Sequence, residues 1–179
     1  MILTGPEITA AVNDGRLTIA PFGPEQVNPN SYNVCLGPTL LTYTDTVIDA
    51  HRPNPTREVT IGKSGYVLQP GELYLGHTVE QVGSNTLVPL LFGRSSVGRL
   101  GLFVEITAPI GDIGFHGQWT LMLSPIRPLR VYEGMRIGQI MFFVSTGAIA
   151  PYQGKYQAAV GPQPSAYWRD ATQFRAVVS

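Results

Sequence analysis

Near the start of the chain, apolar residues fall at Ile8, Ala11 and Val12, three and four apart, which is the spacing of one helical face. Thr4-Gly5-Pro6-Glu7 precedes them in the form of a capping box, with Thr4 as N-cap and Glu7 three residues on, and Gly15 is placed to end the helix. From Leu17 onward the period changes. Short apolar runs recur between turn signals: LTIA, YNVCL, TLLTYT, TVID, REVTI, GYVLQ, ELYLGHTV, NTLVPLLF, LFVEIT, QWTLML, LRVY and GQIMFFV. Several alternate, as in Glu72-Leu73-Tyr74-Leu75, and breakers such as Gln69-Pro70-Gly71 and Tyr132-Glu133-Gly134 divide them. Regular short strands joined by Gly/Pro turns predict a mainly β fold, an antiparallel sandwich, jelly roll or small barrel. No repeat or linker divides the chain, so residues 1–179 are expected to form one domain. The tail from Gly154 lacks periodicity and is expected to act as a lid or as an arm packed on a neighbour.

Composition sharpens this picture. Gly 20 and Pro 15 make up close to a fifth of the 179 residues, yet they are spread out and hydrophobics reach 44%, so the chain reads as ordered. Charged residues are only 13% and the net charge is zero. That gives no support for a nucleic-acid-binding surface. A local cationic pocket for a small anion is still allowed. The single cysteine, Cys35, excludes an intrachain disulfide and reads as a buried small hydrophobe between Val34 and Leu36. The N-terminus has no basic region, and no run approaches the roughly 20 apolar residues of a membrane span, so a soluble cytoplasmic protein is expected.

Candidate chemistry concentrates between Gly93 and Leu123. Gly93-Arg94-Ser95-Ser96-Val97-Gly98-Arg99-Leu100 puts serines where a short helix would begin. Free N–H groups at a helix start, two hydroxyl donors and the guanidinium groups of Arg94 and Arg99 suit phosphate. Ser95 and Arg99 would share a helical face. An ordinary surface turn with solvated arginines fits the same residues. Pro109 to Gly117 reads as a glycine-rich hairpin or bulged loop whose main chain can approach a planar ligand. Asp112 is the one acid in it, suited to orienting a sugar hydroxyl or polarising a water, although Asp also favours turns. Gly154-Lys155-Tyr156-Gln157 puts a cation beside an aromatic at the head of the tail. His51, His77 and His116 lack metal-site spacing, so no protein-held metal is expected, and the Cys-x-x-Cys of zinc-dependent nucleobase deaminases is absent.

Together these segments resemble the dCTP deaminase/dUTPase superfamily. The resemblance runs through NPNSYNVCLG (Asn28–Gly37), VLQPGELYLGHTVE (Val67–Glu80), GRSSVGRLGL (Gly93–Leu102), the Asp112 loop, RIGQIMF (Arg136–Phe142), GKYQ and a late GPQPS. It is closer to the deaminase branch than to ordinary dUTPases. It implies a jelly-roll-like subunit, a homotrimer with intersubunit active sites, and a pyrimidine deoxynucleoside triphosphate substrate with Mg²⁺ carried mainly on its phosphates. By resemblance, Arg94, Ser95, Ser96 and Arg99 surround the phosphates and reacting centre. Asp112 contacts the deoxyribose 3′-hydroxyl and helps activate water. The main chain at Thr120-Leu121 reads the pyrimidine, Gln139 is a further phosphate contact, and Tyr152, Lys155 and Tyr156 close the site.

Three departures bear on the chemistry. Deaminases of this family carry a glutamate where this chain has Met122, and a thioether cannot shuttle protons to and from the C4 amino group. Asn33 stands where many members have aspartate, and a neutral amide holds a hydrated Mg²⁺ less strongly. Glu105 stands where deaminases commonly have histidine, pointing opposite to Val104 and Ile106 if that stretch is an alternating strand; it is either solvated or a relocated catalytic carboxylate. The expected activity is hydrolysis of dUTP, or of dCTP or a modified analogue, to the monophosphate and pyrophosphate. The alternatives are a zinc-independent dCTP deaminase, bifunctional or not, and a non-catalytic nucleotide-binding relative.

Overall fold

The computed structural model describes residues 1–170; the end of the expected lid, residues 171–179, lies outside the described residues. Helix α1 spans Gly5–Asn13, buries Ile8 and Ala11 as their spacing predicts, and gives way to Gly15 at a φ of 79°. The capping box does not form. Thr4 occupies the N-cap position without a side-chain bond, and Glu7 accepts from Arg16 at 2.8 Å. A charged guanidinium donor outcompetes a main-chain amide for that carboxylate.

The rest is built of strands: β1 (Thr18–Ala20), β2 (Tyr32–Cys35), β3 (Thr39–Tyr43), β4 (Thr56–Thr60), β5 (Tyr66–Leu68), β6 (Tyr74–Gly83) and β7 (Leu87–Gly93). A single helical turn, α2 (Ser95–Gly98), precedes β8 (Leu102–Phe103), β9 (His116–Pro125), β10 (Leu129–Val131) and β11 (Arg136–Val144). One sheet runs β4-β3-β6-β9-β8, with β1 also paired to β6; a second runs β2-β11-β7; β10 and β5 form a separate ribbon. Every pairing is antiparallel. The architecture is the mainly β one predicted, but among the described residues it stays three sheets rather than closing into a barrel.

Two runs depart from the strand reading. Thr46–Asp49 is an irregular loop with Val47 exposed. LFVEIT keeps only its first two residues as β8, because the chain then crosses between two sheet edges. Val104 O accepts from Met122 N on β9 at 2.9 Å, and Gly111 N donates to Pro89 O on β7 at 2.8 Å. A segment bridging two edges cannot stay a straight strand.

Side chains from both larger sheets meet in one core that includes Val34, Leu36, Leu40, Leu121, Leu123, Ile140 and Phe142. A polar network ties the sheets together inside it. The Glu80 carboxylate, 1% exposed on β6, accepts from Gln26 Nε2 at 3.1 Å and from the Cys35 main-chain N on β2 at 2.9 Å. Gln26 also donates to the Tyr32 hydroxyl at 2.8 Å, and the Cys35 thiol donates back to Gln26 Oε1 at 3.0 Å. Cys35 is thus only partly buried, and serves as a donor rather than as the apolar filler its neighbours suggest. Burial first, and then Glu80, push its thiol pKa up to about 11, so the proton needed for that bond is retained at neutral pH. Removing the carboxylate would strand the Cys35 amide and one of the two Gln26 Nε2 hydrogens without an acceptor. Glu80→Ala is expected to cost about 3 kcal/mol in urea unfolding, and Glu80→Gln clearly less.

Candidate functional site

The site is organised by β9. Its burial alternates along its length: Leu121 and Leu123 enter the core, whereas Gln118, Thr120 and Met122 face a cavity of about 440 Å³. On β6, Leu75 pairs directly with Met122, so the two stand side by side on the cavity face. Leu73, Tyr43, Phe115 and the edge of Trp119 continue the apolar wall.

The outer edge of β9 carries the polar feature. Gln118 N donates to Ala159 O at 2.8 Å, and Met122 N donates to Val104 O at 2.9 Å. Alternate residues of a strand send their main-chain groups to the same edge. The N–H and C=O of Thr120 therefore lie in the gap between those two partners, open to the cavity. Leu121, one residue on, turns its main chain toward Gly76 on β6, and its side chain is fully buried. Of the expected Thr120-Leu121 pair, only Thr120 presents its main chain.

Asp112 lines the same cavity and is the one carboxylate to do so. Its carboxylate accepts no hydrogen bond among the described residues. The loop that carries it is bulged, held to β7 by Gly111 and to the preceding turn by a 2.7 Å bond from Gly114 N to Ser84 O. Gly111 is required because a Cβ there would lie 2.1 Å from the Trp119 ring. The tail forms the opposite wall. Tyr152 and Tyr156 line the cavity, and the tail docks through Gln163 N to Thr120 Oγ1 (3.0 Å), Gly161 N to Gln118 Oε1 (2.7 Å) and Ser165 N to the Tyr43 hydroxyl (2.9 Å). Lys155 does not face Asp112; it pairs with Asp170 beside a separate cavity of about 160 Å³.

The expected phosphate residues lie elsewhere. Arg94, Ser95, Ser96, Arg99 and Gln139 do not line the Asp112 cavity. Ser95, Ser96 and Arg99 are exposed on or beside α2, whose start no side chain caps. Arg94 donates to Arg136 O at 3.3 Å. On the adjacent face of the second sheet, Gln139 on β11 stands opposite both Phe92 and Asn33. Gln139 Oε1 accepts from Ser31 at 3.2 Å, and Asn33 Nδ2 donates to Asn28 at 3.2 Å. Asn33 Oδ1 is buried without a hydrogen-bond partner. Among the described residues no group of three or more His, Cys, Asp or Glu could hold a metal ion.

Glu105 corrects the alternation expected of it. It lies beyond β8, with Val104 buried and Ile106 exposed, and it does not line the Asp112 cavity. Its Oε2 is nevertheless buried without a partner, one residue from the carbonyl that holds Met122. The sequence reading missed Gln118, Tyr43 and Leu75 as cavity residues, and named GPQPS only as part of the resemblance and the tail only as a lid or arm. Leu75 was recoverable from the alternation of β6, but nothing local marks Gln118 or Tyr43.

Residues 2–145 match the family described as dCTP deaminase-like. This chain belongs to that family. The dCTP deaminase, dUMP-forming, of Leptospira biflexa is 48% identical over 171 residues, covering 95% of this chain and 98% of its own length. The protein of the same name from Hathewaya histolytica is 47% identical, covering 95% of this chain and 99% of its own. The solved 2′-deoxycytidine 5′-triphosphate deaminase from Agrobacterium tumefaciens superposes with a TM-score of 0.65 at 24% identity. That alignment covers 80% of this chain but 48% of the other, so this chain spans about half its length. This likeness confirms the fold. No helix among the described residues is long and apolar enough to cross a membrane.

Beside Thr120, on the same face of the sheet, His77 pairs with it across β6 and β9 and is 6% exposed. Burial lowers its pKa below the ordinary 6.5, although bonds to Thr78 O and Gln118 partly oppose the shift. The folded chain therefore binds fewer protons than the unfolded chain once the pH drops through 6.5. The melting temperature is expected to fall as the pH is lowered from 7.5 toward the depressed value. A His77→Gln variant should show a shallower slope over that window in a thermal melt.

Proposed function

We propose that this protein hydrolyses a pyrimidine deoxynucleoside triphosphate, dUTP or dCTP, to the monophosphate and pyrophosphate. The observation that carries this reading is the cavity lining, in which Asp112 is the only carboxylate among the described residues and Met122 is present, at the position where, by the family resemblance, deaminases carry a glutamate. The relatives named dUMP-forming dCTP deaminases have a name that joins deamination with release of the monophosphate. This chain retains what the second of these needs and has an apolar residue where the first needs an acid.

In this mechanism the base pairs with the open N–H and C=O of Thr120. Asp112 orients the sugar 3′-hydroxyl and accepts a proton from the water that attacks the α-phosphorus; the bond from that phosphorus to the bridging oxygen breaks, and pyrophosphate leaves. Arg94, Ser95, Ser96, Arg99 and Gln139 hold the phosphates, and positive charge aimed at the developing negative charge lowers the barrier. Mg²⁺, when bound, neutralises phosphate charge. It would be carried mainly on the substrate phosphates, since among the described residues no cluster of three or more His, Cys, Asp or Glu would hold it. Tyr152 and Tyr156 exclude water, and Lys155 joins them on release from Asp170.

Because the phosphate residues and Asp112 do not share a cavity within one chain, the complete site is proposed to form between copies, in the homotrimer the family resemblance implies. Leu100, Phe103, Ile106 and Ile126 support this: each is at least half exposed, and they surround α2 and β8 as an apolar patch for a second copy to cover. Mixing Asp112→Asn with Arg99→Ala, each inactive alone, should restore roughly a quarter of the activity in statistically assembled trimers. No recovery would place the whole site in one chain.

A second reading is deamination at C4 with Glu105 as the base, supported by its unpaired buried Oε2, one residue from the carbonyl that bonds Met122 N, and by the relatives' names. Incubation with dCTP and dUTP plus Mg²⁺, with the products resolved, separates the readings. Monophosphate and pyrophosphate without ammonia are expected, and Asp112→Asn should reduce their release by about 10²–10⁴-fold. Ammonia from dCTP that Glu105→Gln abolishes establishes the second reading. Saturable nucleotide binding without either product indicates a non-catalytic nucleotide-binding protein.

A further inference from the structure

We propose that Gln157 is a positioning residue for the reaction: its side-chain amide clamps the Asp112 loop to the docked tail, so that the carboxylate is aimed only while the tail is in place. This rests on the role given to Asp112 in the proposed function.

The loop from Pro109 to His116 is held on two flanks. On the sheet side, Leu91 N donates to Pro109 O at 2.8 Å, Gly111 N to Pro89 O at 2.8 Å and Gly114 N to Ser84 O at 2.7 Å. On the other side the bonds come from the tail. Tyr152 N donates to Ile113 O at 2.7 Å and Ala158 N to His116 O at 3.0 Å. Gln157 spans the stretch between them: Nε2 donates to Gly114 O at 2.7 Å, and Oε1 accepts from His116 N at 3.0 Å. Gly114 and Gly117 make room for this approach. A Cβ on Gly114 would lie 2.8 Å from Tyr152 N, and one on Gly117 would lie 2.8 Å from Ala159 N.

Two features single out Gln157. The main-chain bonds of the tail ask for no particular side chain, whereas this pair needs a donor and an acceptor at the end of one side chain. An amide has both, and a carboxylate lacks the donor. The next residue, Ala158, is the one non-glycine with a positive φ among the described residues, at 58°. That conformation is unfavourable for a residue with a Cβ and persists where its surroundings fix it. Here it is pinned by the bond from Ala158 N to His116 O on one side and by Ala159 O, which accepts from Gln118 N at 2.8 Å, on the other. The strained turn sets Gln157 against the loop and Ala159 against the edge of β9. Gln157 is itself exposed, so its loss opens no hole in the core, and what the loop would lose is the two hydrogen bonds. Gly114 lies two residues from Asp112, so a shift of the clamped carbonyl displaces the carboxylate. A misplacement of about 1 Å can cost up to about 100-fold in rate.

Gln157→Ala and Gln157→Glu in the full chain, assayed with dUTP and dCTP plus Mg²⁺, test this through kcat, KM, the melting curve and amide exchange over residues 109–116 read by mass spectrometry. Both variants are expected to lower kcat for monophosphate release by about 10–100-fold, with little change in KM and melting curves close to the parent. Exchange in the loop should quicken in Gln157→Ala. Gln157→Glu keeps the size and the acceptor but at neutral pH has no hydrogen for Gly114 O, so a role in filling space would leave it active. A full rate in either variant, unchanged loop exchange in Gln157→Ala, or an effect confined to KM or to the melting temperature overturns the assignment. A parent that hydrolyses neither nucleotide removes the proposed function and the positioning role with it, whereas a hydrolysing parent with unimpaired variants removes the positioning role alone.

Discussion

The antiparallel pairing of β6 with β9 is the constraint on which the rest depends. It places Leu121 and Leu123 in the core and Thr120 and Met122 in the cavity, because side chains of a strand alternate between faces. A slip of one residue would drive Met122 inward and expose two fully buried leucines. The register survives an irregularity in β6 between His77 and Gln81, where the Thr78 hydroxyl accepts from Trp119 N at 2.9 Å and donates to Glu80 O at 2.7 Å. Glu80 in turn reaches across to β2. One short stretch of β6 thus fixes the register of the site-bearing strand and joins the two larger sheets.

The candidate site offers a gap in a strand edge. The tail covers β9 at Gln118 and the 104–111 segment covers it at Met122, leaving the main chain of Thr120 between them. Main-chain groups held in a sheet are rigid, so they discriminate hydrogen-bonding patterns with little entropy to lose. The cost is that the edge has no positive charge. Arg94 and Arg99, the candidate phosphate contacts, sit beside α2 and outside the Asp112 cavity. In the homotrimer proposed above, a second copy covering the apolar patch around α2 would bring the two surfaces together, which would connect oligomerisation to catalysis.

The succession of short strands along the chain was largely legible in the sequence because most apolar runs were bounded by turn residues. The exceptions have physical causes. TVID has the composition of a strand but no neighbouring edge to pair with, and LFVEIT is pulled between two edges after Phe103. The capping box failed because Arg16, nine residues away, offered Glu7 a stronger partner. Asp112 and Met122 were legible from their neighbours. Tyr43 and Gln118 were not, and the late GPQPS run was legible only through the resemblance, since their part in the site arises from the tail docking on β9 and β3, across more than forty residues of sequence.

The sequence by itself determined the chemical inventory. It supplied one loop aspartate, a phosphate-suited arginine and serine turn, and a methionine in place of an acid, because residue identity sets which protons and charges are available. Only the tertiary structure decided how these are distributed. Strand pairing put Thr120 and Met122 on the cavity side, left the Glu105 carboxylate unpaired but outside that cavity, and separated Asp112 from the arginines. Such placements depend on which edges pair and which remain open, and no local run of residues encodes that.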